Sequence, residues 1–227
     1  MTRTTPAHDA SMLRNHWWPR PGWYPGRIVY TWHLTFQDDP ELHRLARAYQ
    51  NALHGLPGLH PVPTEWLHLT MQGLGYLDEI TDEQRAAAIT ATRRALAGIE
   101  PFTLTFDRPH VLDEAIAVPP MPARPVEAAY SAIRAAMRDA LGADHLHTGP
   151  EQARGFRPHV TLAYSGIEAP SEPYTGALRT ADIGPATVHV HEVNLIRQER
   201  LLDPHWLYRW QTDSTAPLGC PLPDGPP

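Results

Sequence analysis

One succession of secondary-structure elements occurs twice in the sequence and limits the folds that the chain can adopt. A strand, a helix that begins at a proline and a second strand carrying the pattern His-x-Thr follow one another in residues 27–75 and again in residues 115–165. Segments rich in β-branched and aromatic residues predict the strands, and apolar residues three and four positions apart predict the helices. The succession predicts two related lobes that arose by internal duplication, although no direct sequence identity between them is visible.

Capping residues predict where the helices begin and end. Asp39 can cap a helix whose first turn contains Pro40. Thr81, if it is the cap of the next helix, is placed to form a capping box with Gln84. A third helix is expected to stop at Gly142.

The two ends of the chain differ in composition from the part between them. Residues 1–26 are rich in Pro, Gly and Trp and show no periodicity, which indicates an extended arm laid over the surface by its tryptophan side chains. Residues 214–227 are rich in Pro and Gly and are predicted to form a disordered tail. A single domain of two lobes is expected in residues 27–213.

Composition and charge limit the partners that the chain can have. The net charge is −6, so we expect no long nucleic-acid duplex bound through its phosphates. The chain has no run of about 18 apolar residues and no apolar signal-peptide core, which predicts no membrane association and a cytoplasmic location. The single cysteine, Cys220, excludes an internal disulfide and a cysteine-based metal site. We expect a monomer.

Two copies of His-x-Thr occupy equivalent places in the two predicted lobes. On a strand, residues two apart project to the same side, so His68 lies with Thr70 and His159 lies with Thr161. If the two strands face one another, a neutral imidazole can take a proton from water while a protonated one gives a proton to a leaving oxygen. The threonine hydroxyls can donate hydrogen bonds to phosphate oxygens. This set suits phosphodiester hydrolysis without a metal ion.

The segments "WLHLTMQGLG" at 66–75 and "FRPHVTLAYS" at 156–165 resemble the paired motifs of the 2H (two-histidine) phosphoesterase superfamily. That superfamily includes the 2',5' RNA ligase-like proteins and the cyclic nucleotide phosphodiesterases. The resemblance implies an α+β fold in which two lobes of antiparallel sheet have helices outside and a central active-site groove. It also implies cleavage of 2',3'-cyclic phosphates or 2',5' linkages on a small nucleotide or RNA end, with no cofactor. The implied catalytic residues are His68, Thr70, His159 and Thr161.

The same resemblance assigns two further residues to the substrate. Trp32 aligns best with an aromatic residue that flanks the nucleotide, and Tyr164 takes a position that is Tyr in some cyclic phosphodiesterases and Arg or Lys in RNA ligase-like members. Along a flat strand Tyr164 has the wrong parity to share the face of Thr161, so it reaches the groove only if the strand ends or twists near Ser165. Because Trp32 is assigned to the groove, the adjacent His33 is expected in the core or at an edge, with groove lining as the alternative.

Two other classes of function remain open from the sequence. A non-catalytic module could keep the groove to recognise a nucleotide or RNA end. A metal-dependent hydrolase could use His189 and His191, which share one strand face at a spacing that zinc ligands can adopt. No third ligand can be identified, and a histidine-rich exposed face is the ordinary interpretation of this pair.

Overall fold

The computed structural model describes residues 9–142 and 155–220, and the predictions for residues 1–8, 143–154 and 221–227 lie outside the described residues. The described chain contains four α-helices and thirteen β-strands. The helices are α1 (Pro40–Ala52), α2 (Asp82–Leu96), α3 (Arg124–Leu141) and α4 (Glu172–Thr180). The strands are β1 (Met12–Leu13), β2 (Ile28–Thr35), β3 (Leu59–Pro61), β4 (His68–Tyr76), β5 (Phe102–Phe106), β6 (His110–Val111), β7 (Ala115–Val118), β8 (Pro120–Met121), β9 (Val160–Ser165), β10 (Ala169–Pro170), β11 (Ala186–Val190), β12 (Glu192–Leu201) and β13 (Leu207–Pro217).

The predicted capping residues act at the helix ends. The Asp39 side chain accepts a hydrogen bond from the backbone amide of Leu42 at 2.9 Å, which caps α1. Thr81 and Gln84 each accept a hydrogen bond from the other's backbone amide, so the predicted capping box begins α2. α3 ends before Gly142, whose φ of 91° suits glycine. These three predictions are confirmed.

The prediction for residues 214–217 is wrong, and the strands before them are divided between two sheets. Residues 214–217, expected in a disordered tail, complete β13, because Thr215 pairs with Asn194 and Ala216 is fully buried. The segment 187–199, rich in β-branched and apolar residues, is divided between β11 and β12. The chain leaves one sheet and enters another at His191, so tertiary pairing overrides the local composition. The helix α4 has no counterpart among the sequence-based predictions.

Two four-stranded sheets dominate the fold, and every strand pair in them is antiparallel. The first sheet has the order β13-β12-β2-β4, and the second has the order β3-β9-β7-β6. A three-stranded sheet, β11-β5-β8, and the pair β1-β10 complete the set. The first sheet takes two strands from the C-terminal part of the chain, and the second takes β3 from the N-terminal half. The lobes are therefore interleaved along the chain rather than consecutive.

The helices cover the outer surfaces of the sheets. α2 packs against β13 and α3 packs against β4 of the first sheet, while α1 packs against β9 and β11. Buried residues from both helices and sheets, including Trp32, Leu69 and Ile133, belong to one hydrophobic core. This arrangement confirms the predicted α+β class with antiparallel sheets and outer helices. Within residues 9–142 and 155–220, none of the helices has the length and apolar character needed to span a membrane.

Candidate active site

The side chains of β4 alternate between the core and an opposite, more polar face. Leu67, Leu69 and Met71 are fully buried in the core. His68 and Thr70 project from the other side of the strand, because neighbouring side chains on a strand point in opposite directions. Thr70 is exposed, whereas His68 is only 8% exposed. The first predicted pair therefore shares one face of the first sheet.

His33 lies on this same face, which corrects the prediction that it packs in the core or at an edge. In the register of β2 and β4, His33 lies opposite Thr70, and Thr35 lies opposite His68. The His33 ring centroid is 4.6 Å from that of His68, and its Nε2 is 3.1 Å from Thr70 Oγ1. The side chain is fully buried. His33 thus lies behind the predicted catalytic pair and contacts both of its members.

Trp32 is fully buried on the opposite face, which corrects its assignment to the substrate. It belongs to the hydrophobic core and cannot flank a nucleotide in the groove. The sequence contains the signal that decides the orientation: Ile28, Tyr30, Trp32 and Leu34 form an unbroken apolar series at every second position. Such a series faces the core, so the residues between its members, His33 included, face the other way.

Both histidines of the predicted acid/base pair make the same local hydrogen bond. His68 Nδ1 is 2.8 Å from the carbonyl oxygen of Trp66, and His159 Nδ1 is 2.7 Å from the carbonyl oxygen of Arg157. A carbonyl oxygen only accepts, so each Nδ1 carries the proton and donates it. In a neutral ring this fixes Nε2 as the basic atom. Each histidine is therefore oriented by the backbone two residues before it.

A β-bulge follows each His-x-Thr motif at the same position. Between β2 and β4 the register skips Met71, three residues after His68. Between β7 and β9 the register skips Leu162, three residues after His159. A bulge bends its strand and redirects the side chains beyond it. The two motifs thus share the orienting hydrogen bond, the threonine spacing and the bulge, which is the structural sign of duplication.

The second bulge brings Tyr164 to the face of Thr161. In the register of β7 and β9, Thr161 lies opposite Ala117 and Tyr164 lies opposite Ala115. Because Ala115 and Ala117 are two apart, their partners on β9 project to the same side. The parity problem noted from the sequence is resolved by the extra residue, Leu162, rather than by the end of the strand.

The faces that carry the two motifs are opposed. The rings of Tyr164 and Tyr208 are 5.5 Å apart. Tyr208 shares a face of β13 with Trp210, whose ring is 5.1 Å from that of His68. β4 and β9 also approach within 8 Å between Cα atoms. The faces of the two sheets that carry His68 and Tyr164 therefore approach one another, and a groove between them that is lined by both His-x-Thr motifs stays a prediction.

Burial determines the charge state of His33. Desolvation lowers the pKa of His33 well below its ordinary value, and the neighbouring His68 lowers it further because two imidazolium charges would repel. His33 is therefore neutral at physiological pH. A neutral ring 3.1 Å from Thr70 Oγ1 holds that hydroxyl in place without adding positive charge beside His68.

His189 and His191 lie outside this groove. His189 is on β11, and its Nδ1 is 2.9 Å from Thr103 Oγ1 of the adjacent β5. Its ring centroid is 6.5 Å from that of His191. Among residues 9–142 and 155–220, no group of three or more His, Cys, Asp or Glu side chains is arranged to hold a metal ion. The geometry therefore gives no support to the metal-dependent alternative.

Known proteins resemble the chain in sequence and in fold. The sequence model of the 2'-5' RNA ligase superfamily matches residues 38–201. Among solved structures, TT0787 of Thermus thermophilus is 21% identical, with a TM-score of 0.62 over 86% of this chain and 98% of that chain. E. coli LigT complexed with 3'-AMP is 20% identical, with a TM-score of 0.59 over 85% of this chain and 98% of that chain. Comparison with curated protein sequences gives no match.

The fold and the paired motifs define a protein of the 2H phosphoesterase class. The family match covers most of the chain, and the structural similarity extends over nearly all of each solved relative. The chain belongs to the 2'-5' RNA ligase superfamily. At about one-fifth identity the solved structures establish the fold.

Proposed function

We propose that the protein is a metal-independent phosphodiesterase that hydrolyses a 2',3'-cyclic phosphate or a 2',5' phosphodiester of a nucleotide or RNA end. The observation that carries the proposal is the duplicated His-x-Thr geometry, in which each histidine is held by the same hydrogen bond to the backbone two residues before it. Membership of a phosphoesterase superfamily supports the reaction class. The LigT complex with 3'-AMP, a nucleotide with its phosphate on the ribose, supports the substrate class.

In this proposal His68 and His159 divide two proton transfers between them. One ring, neutral, takes a proton from water through Nε2 as the water oxygen forms a bond to phosphorus. The other ring, protonated, donates its Nε2 proton to the ribose oxygen as the phosphorus–oxygen bond breaks. The product is a phosphate monoester and a ribose hydroxyl, and exchange with solvent restores both rings. Which histidine is the acid depends on which ribose oxygen leaves.

The threonines and Tyr164 have supporting roles in the proposal. The hydroxyls of Thr70 and Thr161 donate hydrogen bonds to the non-bridging oxygens of the phosphate, where negative charge increases in the transition state. Tyr164 lies on the face of Thr161 but is only 7% exposed, so in this proposal it supports the wall beyond the phosphate from behind and does not itself contact the substrate. A small anionic substrate is compatible with the net charge of −6, because the interaction is local and needs no basic surface.

Turnover of a 2',3'-cyclic mononucleotide in the presence of EDTA tests this proposal. We expect formation of the monophosphate, with His68→Ala and His159→Ala each reducing kcat by about 10²- to 10⁴-fold, the usual contribution of a general acid or base. The wild-type rate should be bell-shaped against pH, because one imidazole must be neutral while the other is charged.

His189→Ala provides the matched control, because His189 is a strand histidine outside the groove. Its activity should equal that of the wild type. Nucleotide binding without turnover of either a cyclic or a 2',5'-linked substrate would favour the non-catalytic module. Activity abolished by EDTA, or lost in His189→Ala, would favour the metal-dependent hydrolase.

A further inference from the structure

An N-terminal segment lies across one end of the groove. We call residues 16–23 the strap. The His16 ring stacks on Tyr164 with centroids 4.2 Å apart, and the Trp17 ring stacks on Tyr208 at 5.6 Å. Trp17 is only 5% exposed. The strap therefore covers the two tyrosines that extend the walls of the groove beyond the phosphate-binding threonines.

The carboxylate of Glu114 fixes the strap to the second lobe. Trp18 Nε1 donates to Oε1 at 3.0 Å, and Arg20 Nη2 donates to Oε2 at 3.0 Å. His16 Nδ1 is also 3.0 Å from Oε2. Burial raises the pKa of Glu114, but the hydrogen bond and charge of His16 and the charge of Arg20 outweigh burial and leave it below its ordinary value. The carboxylate is therefore ionised and holds three side chains of the strap at neutral pH.

Residues of the first sheet hold the same segment from the other side. Arg200, which is 6% exposed, donates from Nη2 to the carbonyl oxygens of His16 at 3.2 Å and of Trp18 at 3.1 Å. The Tyr208 hydroxyl is 3.0 Å from His16 Nε2. Trp23 packs edge-on against Tyr208 with centroids 6.3 Å apart. The strap is thus bonded to both walls of the groove at once.

The strap closes the groove a short distance from the predicted phosphate position. Because the bulge takes up Leu162, Tyr164 lies two ladder positions beyond Thr161, which corresponds to about 7 Å along the strand. Thr70 of the first motif is exposed, so the strap leaves the surface at this residue open. An internal 2',5' phosphodiester carries a nucleoside on each side of phosphorus, whereas a terminal 2',3'-cyclic phosphate carries a single nucleoside. A groove open at one end has room for a nucleoside on one side only.

Resting on the proposed function, we propose that the strap restricts the enzyme to terminal 2',3'-cyclic phosphates and excludes internal 2',5' phosphodiesters. His16 and Trp17 occupy the aromatic surface on which the second nucleoside of a 2',5' substrate would stack. The strap is then a specificity determinant, and the proton transfers at His68 and His159 do not depend on it.

Two variants that weaken the strap test this inference. Trp17→Ala removes the ring that covers Tyr208, and Glu114→Gln keeps the side-chain shape while removing the charge that holds the strap. We compare 2',3'-cyclic AMP with 2',5'-linked ApA. The wild type should prefer the cyclic substrate by about a hundredfold or more in kcat/KM. Both variants should increase kcat/KM for 2',5'-ApA by about tenfold, and the rate on cyclic AMP should stay the same.

The control variant is Tyr24→Ala, which removes an aromatic ring of the N-terminal segment that is 56% exposed and lies outside the strap. It should leave the preference unchanged. Circular dichroism shows whether each variant is folded. If Trp17→Ala is unfolded, Glu114→Gln alone is used for the test. Equal wild-type rates on both substrates would overturn the inference, as would folded strap variants with an unchanged preference.

A binding measurement separates failure of this inference from failure of the proposed function. If the wild type turns over neither substrate, the proposed function fails, and tryptophan fluorescence then reports binding of adenosine 2'-monophosphate and of 2',5'-ApA. Binding of the monophosphate alone by the wild type, and of both ligands by Glu114→Gln, supports closure of the groove by the strap. Dinucleotide binding that is equal in the two proteins, or the absence of binding in both, contradicts it.

Discussion

At the scale of single residues, the charge state of His33 is the decisive feature. A buried histidine beside a second histidine has to remain neutral, so His33 contacts His68 and Thr70 as an uncharged ring. Its ring is fully buried, contacts the His68 ring and is within hydrogen-bonding distance of Thr70. The sequence alone was sufficient to predict that each motif histidine and its threonine project to the same side, because residues two apart on a strand share a face. The orientation of β2 was also accessible, since the apolar series that contains Trp32 and Leu34 marks the core face. The resemblance placed Trp32 in the groove, and it therefore predicted the wrong face of β2 for both Trp32 and His33.

Replacing His33 should make the stability of the protein less sensitive to acid. The folded-state pKa of His33 is depressed, so below about pH 6.5 the unfolded chain binds a proton that the folded chain does not. The contribution of His33 to the free energy of unfolding is therefore fully present above about pH 6.5 and decreases as the pH falls below it. In His33→Gln, the loss of unfolding free energy between pH 7 and pH 5 should be smaller by about 2 kcal/mol.

Urea denaturation at the two pH values measures the effect. His54→Gln is the matched control, because His54 is exposed and meets water in both states, so its acid sensitivity should equal that of the wild type. An unchanged pH dependence in folded His33→Gln would show that His33 is not held neutral by burial.

At the scale of elements, the two β-bulges set the direction of the side chains that follow each motif. Helix ends were predictable because caps depend on neighbouring residues, as at Asp39 and Thr81. The bulges could not be predicted, because an extra residue such as Leu162 is recognised only from the pairing of its strand with the neighbouring strand. The same limit applies to residues 187–199, whose division into two strands depends on two different sheets.

Gln50 supports the second bulge from α1. Its Nε2 donates to the carbonyl oxygens of Leu162 and Val62, both at 2.8 Å. Gln50→Leu removes both hydrogen bonds and should lower the free energy of unfolding by about 2 kcal/mol. Arg47→Ala, an exposed position of the same helix, should change it by less than about 0.5 kcal/mol. Chemical denaturation that gives equal stabilities for the two variants would contradict a structural role for Gln50.

At the scale of the whole molecule, the two lobes are joined by shared strands and by the strap. The sequence predicted two related lobes, and their motifs are indeed related by geometry. It did not predict that β12 and β13 return to the first sheet, because antiparallel pairing between distant segments leaves no local pattern. Nor did it predict that the Trp-rich segment stacks on Tyr164 and Tyr208, since these are tertiary contacts.

Arg200 should control how firmly the strap is held between the lobes. Arg200→Met removes both hydrogen bonds to the strap backbone, so local opening should become easier by about 1.4 kcal/mol. Amide hydrogen exchange in residues 16–23 should then be about tenfold faster. Arg209→Met, which loses only the exposed pair with Glu199, should exchange like the wild type. Equal protection of these amides in both variants would show that Arg200 does not hold the strap.

The interleaved order of the strands also has a consequence for biosynthesis. β4 contains His68, but its sheet is complete only when β12 and β13 join it, and β13 ends at Pro217. On the ribosome, the apolar side of β4 has to wait until the chain has been translated as far as Pro217 before its sheet can close. A nascent polypeptide therefore carries both motif histidines before the first sheet is complete.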